Sequence, residues 1–421
     1  MKHMIKKILL FSFLPFYCFA NLQNDFERAF TLNKQGDIVA ASTLYRTITS
    51  QYPLCTQAIY NFAHTLKDLG DMQEAISAYK KVIEQEPSHA FAHVGMAQCY
   101  LSLGDYKNGF DLFEWRSSAI KDFKHDIEKL KKLVSSNADL TGLKILLRGE
   151  WGLGDNIQFI RFALPLKKRG AKILIQSYPA LKQLFSLCPF LDHVFSVGDE
   201  FPSHDIQIPL LSLAYVCDAT TDNLVTTLPY LVADQDLVKK WQRELIKDAN
   251  FTVGICWSGN GDKDAPPLLN KNIPVDQFAP LMQLPNVSVY CLQQPSENHQ
   301  TLVGLHAFDE NFDKTRGQFM DTAAVMKNLD LVITIDTSIA HLAGALNVPV
   351  WALLPHRTDW RWMIDGTTSP WYPSMKLFRQ PTPGAWNAVI EEVIKEIKGL
   401  TLQVHSPNKN GLIPLRANGE K

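Results

Sequence analysis

Leu329-Asp-Leu-Val-Ile-Thr-Ile335 runs directly into Asp336-Thr-Ser338 and then Ile339-Ala-His-Leu-Ala-Gly-Ala-Leu346, and this stretch decides the architecture of the larger part of the 421-residue chain. The apolar run to Ile335 has the length and β-branched content of a strand buried on both faces. Asp, Thr and Ser favour a helix start, because their side chains accept from the orphan amides of a first turn. A strand, a tight turn and a helix from Ile339 to Leu346 are therefore predicted, with the next strand at Val348 to Leu354. Strand, helix and strand in that order make a parallel βαβ unit.

The same grammar appears upstream. Phe251 to Trp257 reads as a strand entering Ser258-Gly-Asn-Gly261, and Val287 to Leu292 as its successor. Nearer the N-terminus, Lys144 to Arg148 reads as a strand, Gly152-Leu-Gly-Asp155 as a turn, Asn156 to Lys168 as a helix and Lys172 to Gln176 as the next strand. The polar helix Asp236 to Asp248 separates the two halves. Two parallel α/β halves predict a cleft at the carboxyl ends of their strands, where open sheets bind ligands.

Before the break at Ser135-Ser136-Asn137 the pattern is a repeat of period 34. Gly36, Gly70 and Gly104 align, each followed by Asp37, Asp71 or Asp105. Ala29, Ala63 and Ala97 align as well, as do Ala41, Ala75 and Gly109, and Tyr45, Tyr79 and Phe113; Pro53 and Pro87 close the first two units. Glycine permits a left-handed helix end, the small residue a close helix approach, and the aromatic fills the space between. The segment resembles the tetratricopeptide family over roughly residues 22 to 120, and the charged stretch Lys121 to Lys132 reads as its cap. His89 and His93 stand i, i+4 without a third ligand, a pattern of exposed or groove-lining histidines more than of a metal site.

The remaining features set limits. With 42 basic and 43 acidic side chains, the chain advertises neither nucleic acid nor an anionic membrane as partner. The seven cysteines are scattered, with neither a Cys-x-x-Cys pair nor a histidine at metal spacing, and read as buried thiols. Lys2, Lys6 and Lys7 precede the apolar run Ile8 to Ala20, which reads as a signal peptide of residues 1–20 or an uncleaved anchor, the one part suited to membrane contact. The resulting plan is residues 1–20 signal-like, 21–120 repeats, 121–142 cap and linker, 143–235 and 236–400 the two α/β lobes, and 401–421 a disordered tail.

Several residues are candidates for chemistry. Gly152-x-Gly154-Asp155 fails as a dinucleotide fingerprint, since Ile157 stands at the third glycine and no acidic residue follows Gln176-Ser177. It leaves Asp155 either as a general base for an acceptor hydroxyl or as a helix N-cap, and both readings stand. Asp336, Thr337, Ser338 and His341 gather at a helix N-terminus, where a diphosphate is stabilised, or form an ordinary cap with a satisfied histidine. Asp262-Lys-Asp264 matches a metal-binding pattern but sits in a loop where solvated carboxylates are commoner. The aromatics of Trp360-Arg-Trp362 and Ser369-Pro-Trp-Tyr-Pro373 suit either stacking on a base or sugar or a packed lid.

Taken together, Gly152 to Phe159, Cys256 to Asn260, Asp321 to Ala324, Asp336 to Leu346, Asp359 to Trp362, Ser369 to Ser374 and Leu377 to Gln380 resemble the heptosyltransferase-like (family 9) sugar transferases of the GT-B fold. The resemblance implies an α plus α/β protein, a tetratricopeptide solenoid followed by a two-lobed domain with parallel sheets. It implies an inverting transferase that uses neither metal nor cofactor, the nucleotide-sugar being a substrate. Asp155 falls on the family's base. Trp257, Ser258, Gly259, Asp336, Thr337, Ser338 and His341 fall on its donor site, with Lys271 the nearest cation after a departing Gly261 to Pro267 loop. The acceptor would be a protein, peptide or glycan brought by the repeats, which would also complete the acceptor site beside a small N-terminal lobe. A nucleotide-sugar donor belongs to the cytoplasmic side and a signal segment to export or inner-membrane attachment. The alternative is a non-catalytic repeat adaptor with a degenerate transferase domain.

Overall fold

The computed structural model describes residues 16–116, 118–224, 228–245, 250–259, 270–293 and 302–404. The chain divides into two compact units, Met1–Tyr100 and Leu101–Lys421. Among the described residues no helix is long and apolar enough to cross a membrane. The signal-like run lies outside them up to residue 15, and a helix spans Phe16–Lys34.

The first unit is built of helical hairpins: α1 Phe16–Lys34, α2 Ile38–Gln51, α3 Thr56–Leu69, α4 Met72–Gln85 and the greater part of α5 Ala90–Ser102. The period-34 residues do what their chemistry requires. Gly36 and Gly70 take φ of 86° and 93°, so the chain reverses without a Cβ penalty. Asp37 caps α2 by accepting from the Ala40 amide at 3.1 Å. Ala29, Ala63 and Ala97 are fully buried, as is Ala75, and Tyr79 fills the space beside them. The Tyr79 ring lies so close to Gly95 that a Cβ there would come within 2.4 Å of it. Tyr45 is likewise buried, and burial pushes its hydroxyl up to about 12 despite a hydrogen bond from Asn61.

The second unit begins inside the repeat pattern. Gly104 makes its turn at φ 80°, and α6 Tyr106–Phe113 follows. The third repeat's second helix, α6, packs its aromatic face within this unit. Tyr106 meets Trp371 edge-on at 5.7 Å, Phe110 meets Phe159 and Trp360 at 6.0 Å, and Phe113 meets Trp360 at 5.9 Å. The charged helix α7 Ser118–Ser135 is not only a cap. It covers the strand Ile206–Pro209 and the helix Ser212–Val216 of the first lobe, and its Asp126 accepts from the Gln207 amide at 2.8 Å.

The first lobe is a four-stranded parallel sheet, β1 Lys144–Arg148, β2 Lys172–Ser177, β3 His193–Ser196 and β4 Ile206–Pro209, in the order β3-β2-β1-β4. Its helices are α8 Leu153–Phe159, α9 Ala163–Lys168, α10 Pro179–Ser186, α11 Ser212–Val216 and α12 Thr221–Leu224. The single helix expected from Asn156 to Lys168 is α8 and α9 joined by a 3₁₀ turn at Ile160–Phe162, and it starts earlier, at Leu153. Arg116, its side chain fully enclosed and paired with Glu114 at the end of α6 at 2.6 Å, ties that helix to this lobe through Glu150 at 2.6 Å and Ser212 at 2.9 Å.

After α13 Gln235–Leu245 the second lobe is a six-stranded sheet, again parallel, of β5 Phe251–Cys256, β6 Val287–Cys291, β7 Leu305–His306, β8 Leu331–Ile335, β9 Val350–Leu354 and β10 Met375–Arg379. Its order is β10-β9-β8-β5-β6-β7, with α14 Met320–Met326, α15 Ser338–Ala345 and α16 Trp386–Val404 as helices. Beyond the strand expected at Val348 to Leu354, β10 adds a further one in parallel register, Met375 beside Val350. Helix α16 returns across the sheet and buries Trp386, Val389, Ile390, Val393 and Ile397 in its core. It runs on to Val404, past the Thr401 start drawn for a tail; residues 405–421 lie outside the described residues.

A left-handed position disfavours any side chain by about 1–2 kcal/mol. Gly70→Ala should therefore lower unfolding stability by about that amount, read as a smaller urea midpoint with an unchanged slope. An unchanged midpoint would show that the α3 turn does not need its glycine.

Candidate functional site

The cleft forms where the first turns of α8 and α15 meet. Helix α8 leaves β1 and belongs to the first lobe, α15 leaves β8 and belongs to the second, and the two helices pack together. Gly154 makes that approach possible: a Cβ on it would stand 2.8 Å from His341 Cδ2 and 3.5 Å from Ser338 Cα. The cleft measures about 720 Å³. Trp151 to Asp155, Ser258, Gly259, Lys271, Asp336 to Ile339, His341, Asp359 and Arg361 line it.

Asp155 is the third residue of α8 and not its N-cap. Its Oδ2 accepts from the Gly152 amide at 2.8 Å, and its Oδ1 accepts from Nη2 of Arg361 across the cleft. Arg361 stands on the 3₁₀ turn Trp360–Trp362 of the second lobe, and its guanidinium is shared. Nη1 donates to Asp359 at 2.8 Å and Nε to Oε1 of Gln158 at 2.8 Å. Burial opposes its charge, but Asp359 and Asp155 outweigh that and hold the guanidinium above its ordinary pKa.

Asp336 closes β8, where burial raises its carboxyl above the usual range. Lys271 Nζ, 3.9 Å from it, pulls the other way, while Asp359 adds to the rise. Thr337 caps α15 by accepting from the Ile339 amide at 3.3 Å. Ser338 opens the helix on the cleft wall, and neither its amide nor its hydroxyl is hydrogen-bonded among the described residues.

His341, one turn in, is buried and held well below the ordinary imidazole range, first by desolvation and then by the Arg361, Arg161 and Lys271 cations. A chain of hydrogen bonds reaches it from behind the cleft. Arg161, fully buried, donates to the Tyr230 hydroxyl at 2.9 Å, and Tyr230 spends its own proton on the Ile157 carbonyl at 3.0 Å. The Tyr372 hydroxyl lies 2.9 Å from Nδ1 of His341, and a proton donated along that contact would leave the imidazole proton on Nε2. Arg161 also donates to the Trp371 carbonyl at 2.7 Å, so the same side chain ties the two lobes behind the cleft.

The cleft thus gathers Asp155, Ser258, Gly259, Lys271, Asp336, Thr337, Ser338 and His341. Trp257 does not join them. It is 7% exposed in the core of the second lobe, because β5 alternates and turns its indole inward with Ile255 and Val253. The amides beside it are already used: Ser258 donates to Gln293 Oε1 at 2.9 Å and Gly259 to Asn272 Oδ1 at 3.0 Å. Reading by sequence gave no site role to Arg361, Asp359, Gln293 or Asn272, whose importance is a matter of long-range contact; the signals for the first two were the aromatic run around Arg361 and the resemblance over Asp359 to Trp362. His93 Nε2 donates to the Pro87 carbonyl of the repeat backbone at 2.9 Å, and among the described residues no three His, Cys, Asp or Glu gather as a metal site. Asp262 and Asp264 lie outside the described residues.

Comparison with known proteins finds both a repeat and a transferase match. Residues 66–108 match the tetratricopeptide repeat family model, and residues 315–395 match that of glycosyltransferase family 9 (heptosyltransferase). A curated relative, Protein FlbA of Caulobacter vibrioides, is 21% identical over 304 residues, covering 62% of this chain and 48% of its own. The match therefore spans about half the length of that relative. Among solved structures, the ADP-heptose LPS heptosyltransferase II of E. coli is 14% identical, over 63% of this chain and 100% of that one, at a TM-score of 0.45. The glycosyl transferase family 9 protein of Veillonella parvula is 15% identical, over 63% and 99%, at 0.44. An O-GlcNAc transferase mutant from Thermobaculum terrenum covers 92% of both chains at 13% identity and a TM-score of 0.28.

The neutral His341 carries a pH signature. The unfolded imidazole takes a proton near pH ~6.5 while the buried one resists it. Its share of stability is present above that pH and is lost below it, with a limiting slope of about 1.4 kcal/mol per pH unit. Urea unfolding between pH 7.5 and 5 should show this fall, and His341→Gln should flatten it; equal slopes for the two proteins would refute the assignment.

Proposed function

We propose that this chain is an inverting glycosyltransferase that moves a sugar from a nucleotide-sugar to an acceptor hydroxyl. One observation carries the reading: a carboxylate in the first turn of α8 and the N-terminus of α15 face one cleft between two parallel sheets. The glycosyltransferase family 9 match over residues 315–395 includes α15 and Arg361 and supports the same reading.

In this mechanism Asp155 accepts the proton of the acceptor hydroxyl, whose oxygen attacks the anomeric carbon. The bond from that carbon to the diphosphate oxygen breaks on the opposite face, so the configuration inverts. The departing nucleoside diphosphate gathers negative charge, which the α15 terminus, the Ser338 amide and hydroxyl, the His341 Nε2–H and the Lys271 ammonium stabilise. Side chains and amides supply that stabilisation, so the reading is metal-independent. The repeats recruit the acceptor or a partner, as the surfaces of such arrays do.

The test is a panel of sugar nucleotides incubated with the full chain, following release of nucleoside diphosphate with water or added glycans and peptides as acceptor. Wild type should consume at least one donor, and Asp155→Asn should lower kcat by roughly 10²–10⁴. No turnover with any donor, or an equally active variant, would overturn the mechanism. Peptide binding with no nucleotide binding in calorimetry would favour a repeat adaptor instead.

A further inference from the structure

The charges of the cleft pose a difficulty for any diphosphate ligand. Asp155, Asp336 and Asp359 line it against Lys271 and Arg361. Both cations are already engaged, Lys271 near Asp336 at 3.9 Å and Arg361 with Asp359 and Asp155. An anionic ligand gains little from a cation that a fixed carboxylate neutralises. One of the two must change partner.

The geometry singles out Arg361. Asp359 shares its loop and accepts from both its backbone amide, at 3.0 Å, and its Nη1, so this carboxylate travels with the arginine. Asp155 stands on the other lobe and holds only Nη2. Its second oxygen is pinned by Gly152, which leaves the carboxylate in place if Arg361 departs. The guanidinium is a planar fork, suited to pass one N–H pair from a carboxylate to a phosphate while keeping the other.

We infer that Arg361 is a positioning residue that hands its Nη2 from Asp155 to the diphosphate of the bound donor, so that the base loses its counter-cation only when the donor is in place. The inference rests on the transferase reading above and adds to it an order of events. Before donor binding, the Asp155 Oδ1 is occupied by the Arg361 guanidinium. Afterwards the carboxylate remains oriented by Gly152, and its freed oxygen can accept from the acceptor hydroxyl. Donor and acceptor steps are thereby coupled through one guanidinium.

The coupling has a sign that a purely structural ion pair would not show. Calorimetric titration of the full chain with ADP, GDP and UDP, without donor sugar or acceptor, measures it. Asp155→Asn should bind the preferred nucleoside diphosphate about tenfold more tightly than wild type, because Arg361 is released in advance. Arg361→Gln should bind about tenfold more weakly. In the double variant the gain from Asp155→Asn should vanish, whereas a gain due merely to removing a negative charge would persist there. Should Arg361→Gln not fold, Arg361→Lys keeps the charge without the fork, and the gain should shrink in that background.

An Asp155→Asn protein that binds no more tightly than wild type, or a gain that persists undiminished without Arg361, would overturn the handover while leaving the transferase reading intact. Binding of none of the three nucleotides by wild type and Asp155→Asn would remove that reading and the inference with it.

Discussion

The second unit depends on a contact that only glycine permits. Gly154 lets the first turn of α8 rest against Ser338 and His341 of α15, and so brings the carboxyl ends of two separate parallel sheets to one place. A methyl group at that position would stand 2.8 Å from the imidazole, and the buried helix behind it has nowhere to retreat. The cleft, the neutral histidine and the ion pair across the lobes all presuppose this approach.

Around the contact the protein spends polar groups in an unusual way. Arg161 is a fully buried cation satisfied by carbonyls, a tyrosine hydroxyl and aromatic faces, with the Tyr230 and Tyr372 rings 4.7 and 4.5 Å from its guanidinium. Arg361 is the opposite case, shared between two carboxylates at the edge of the cleft. The first holds the lobes together from behind. The second crosses the cleft at its mouth, where a ligand can compete for it.

The aromatic face of α6 shows how repeat and α/β architecture share a chain. Residues that fill a repeat interior at other positions, such as Tyr45 and Tyr79, have in Phe113 a counterpart that meets Trp360. The period-34 pattern therefore continues one helix further than the first compact unit does. The same aromatic chemistry serves both environments, since a large ring needs only a complementary apolar surface.

Much of this was legible in order along the chain. The glycines at 36, 70 and 104, the alanines before them and the buried run from Leu331 to Ile335 act through backbone freedom, close approach and burial, which are local properties of residue type and spacing. The gathering of Asp155 with Ser338 and His341 also followed, because parallel strands deliver their turns to one edge. What tertiary structure alone decided is which partner each charge has. Trp257 turned into the core because β5 alternates, α7 joined the first lobe because β4 and α11 left a surface to cover, and Arg361 reached Asp155 over a separation of 206 residues. Sequence carries the rules for neighbours within a turn or a strand, whereas an ion pair between lobes is set by the packing that brings them together.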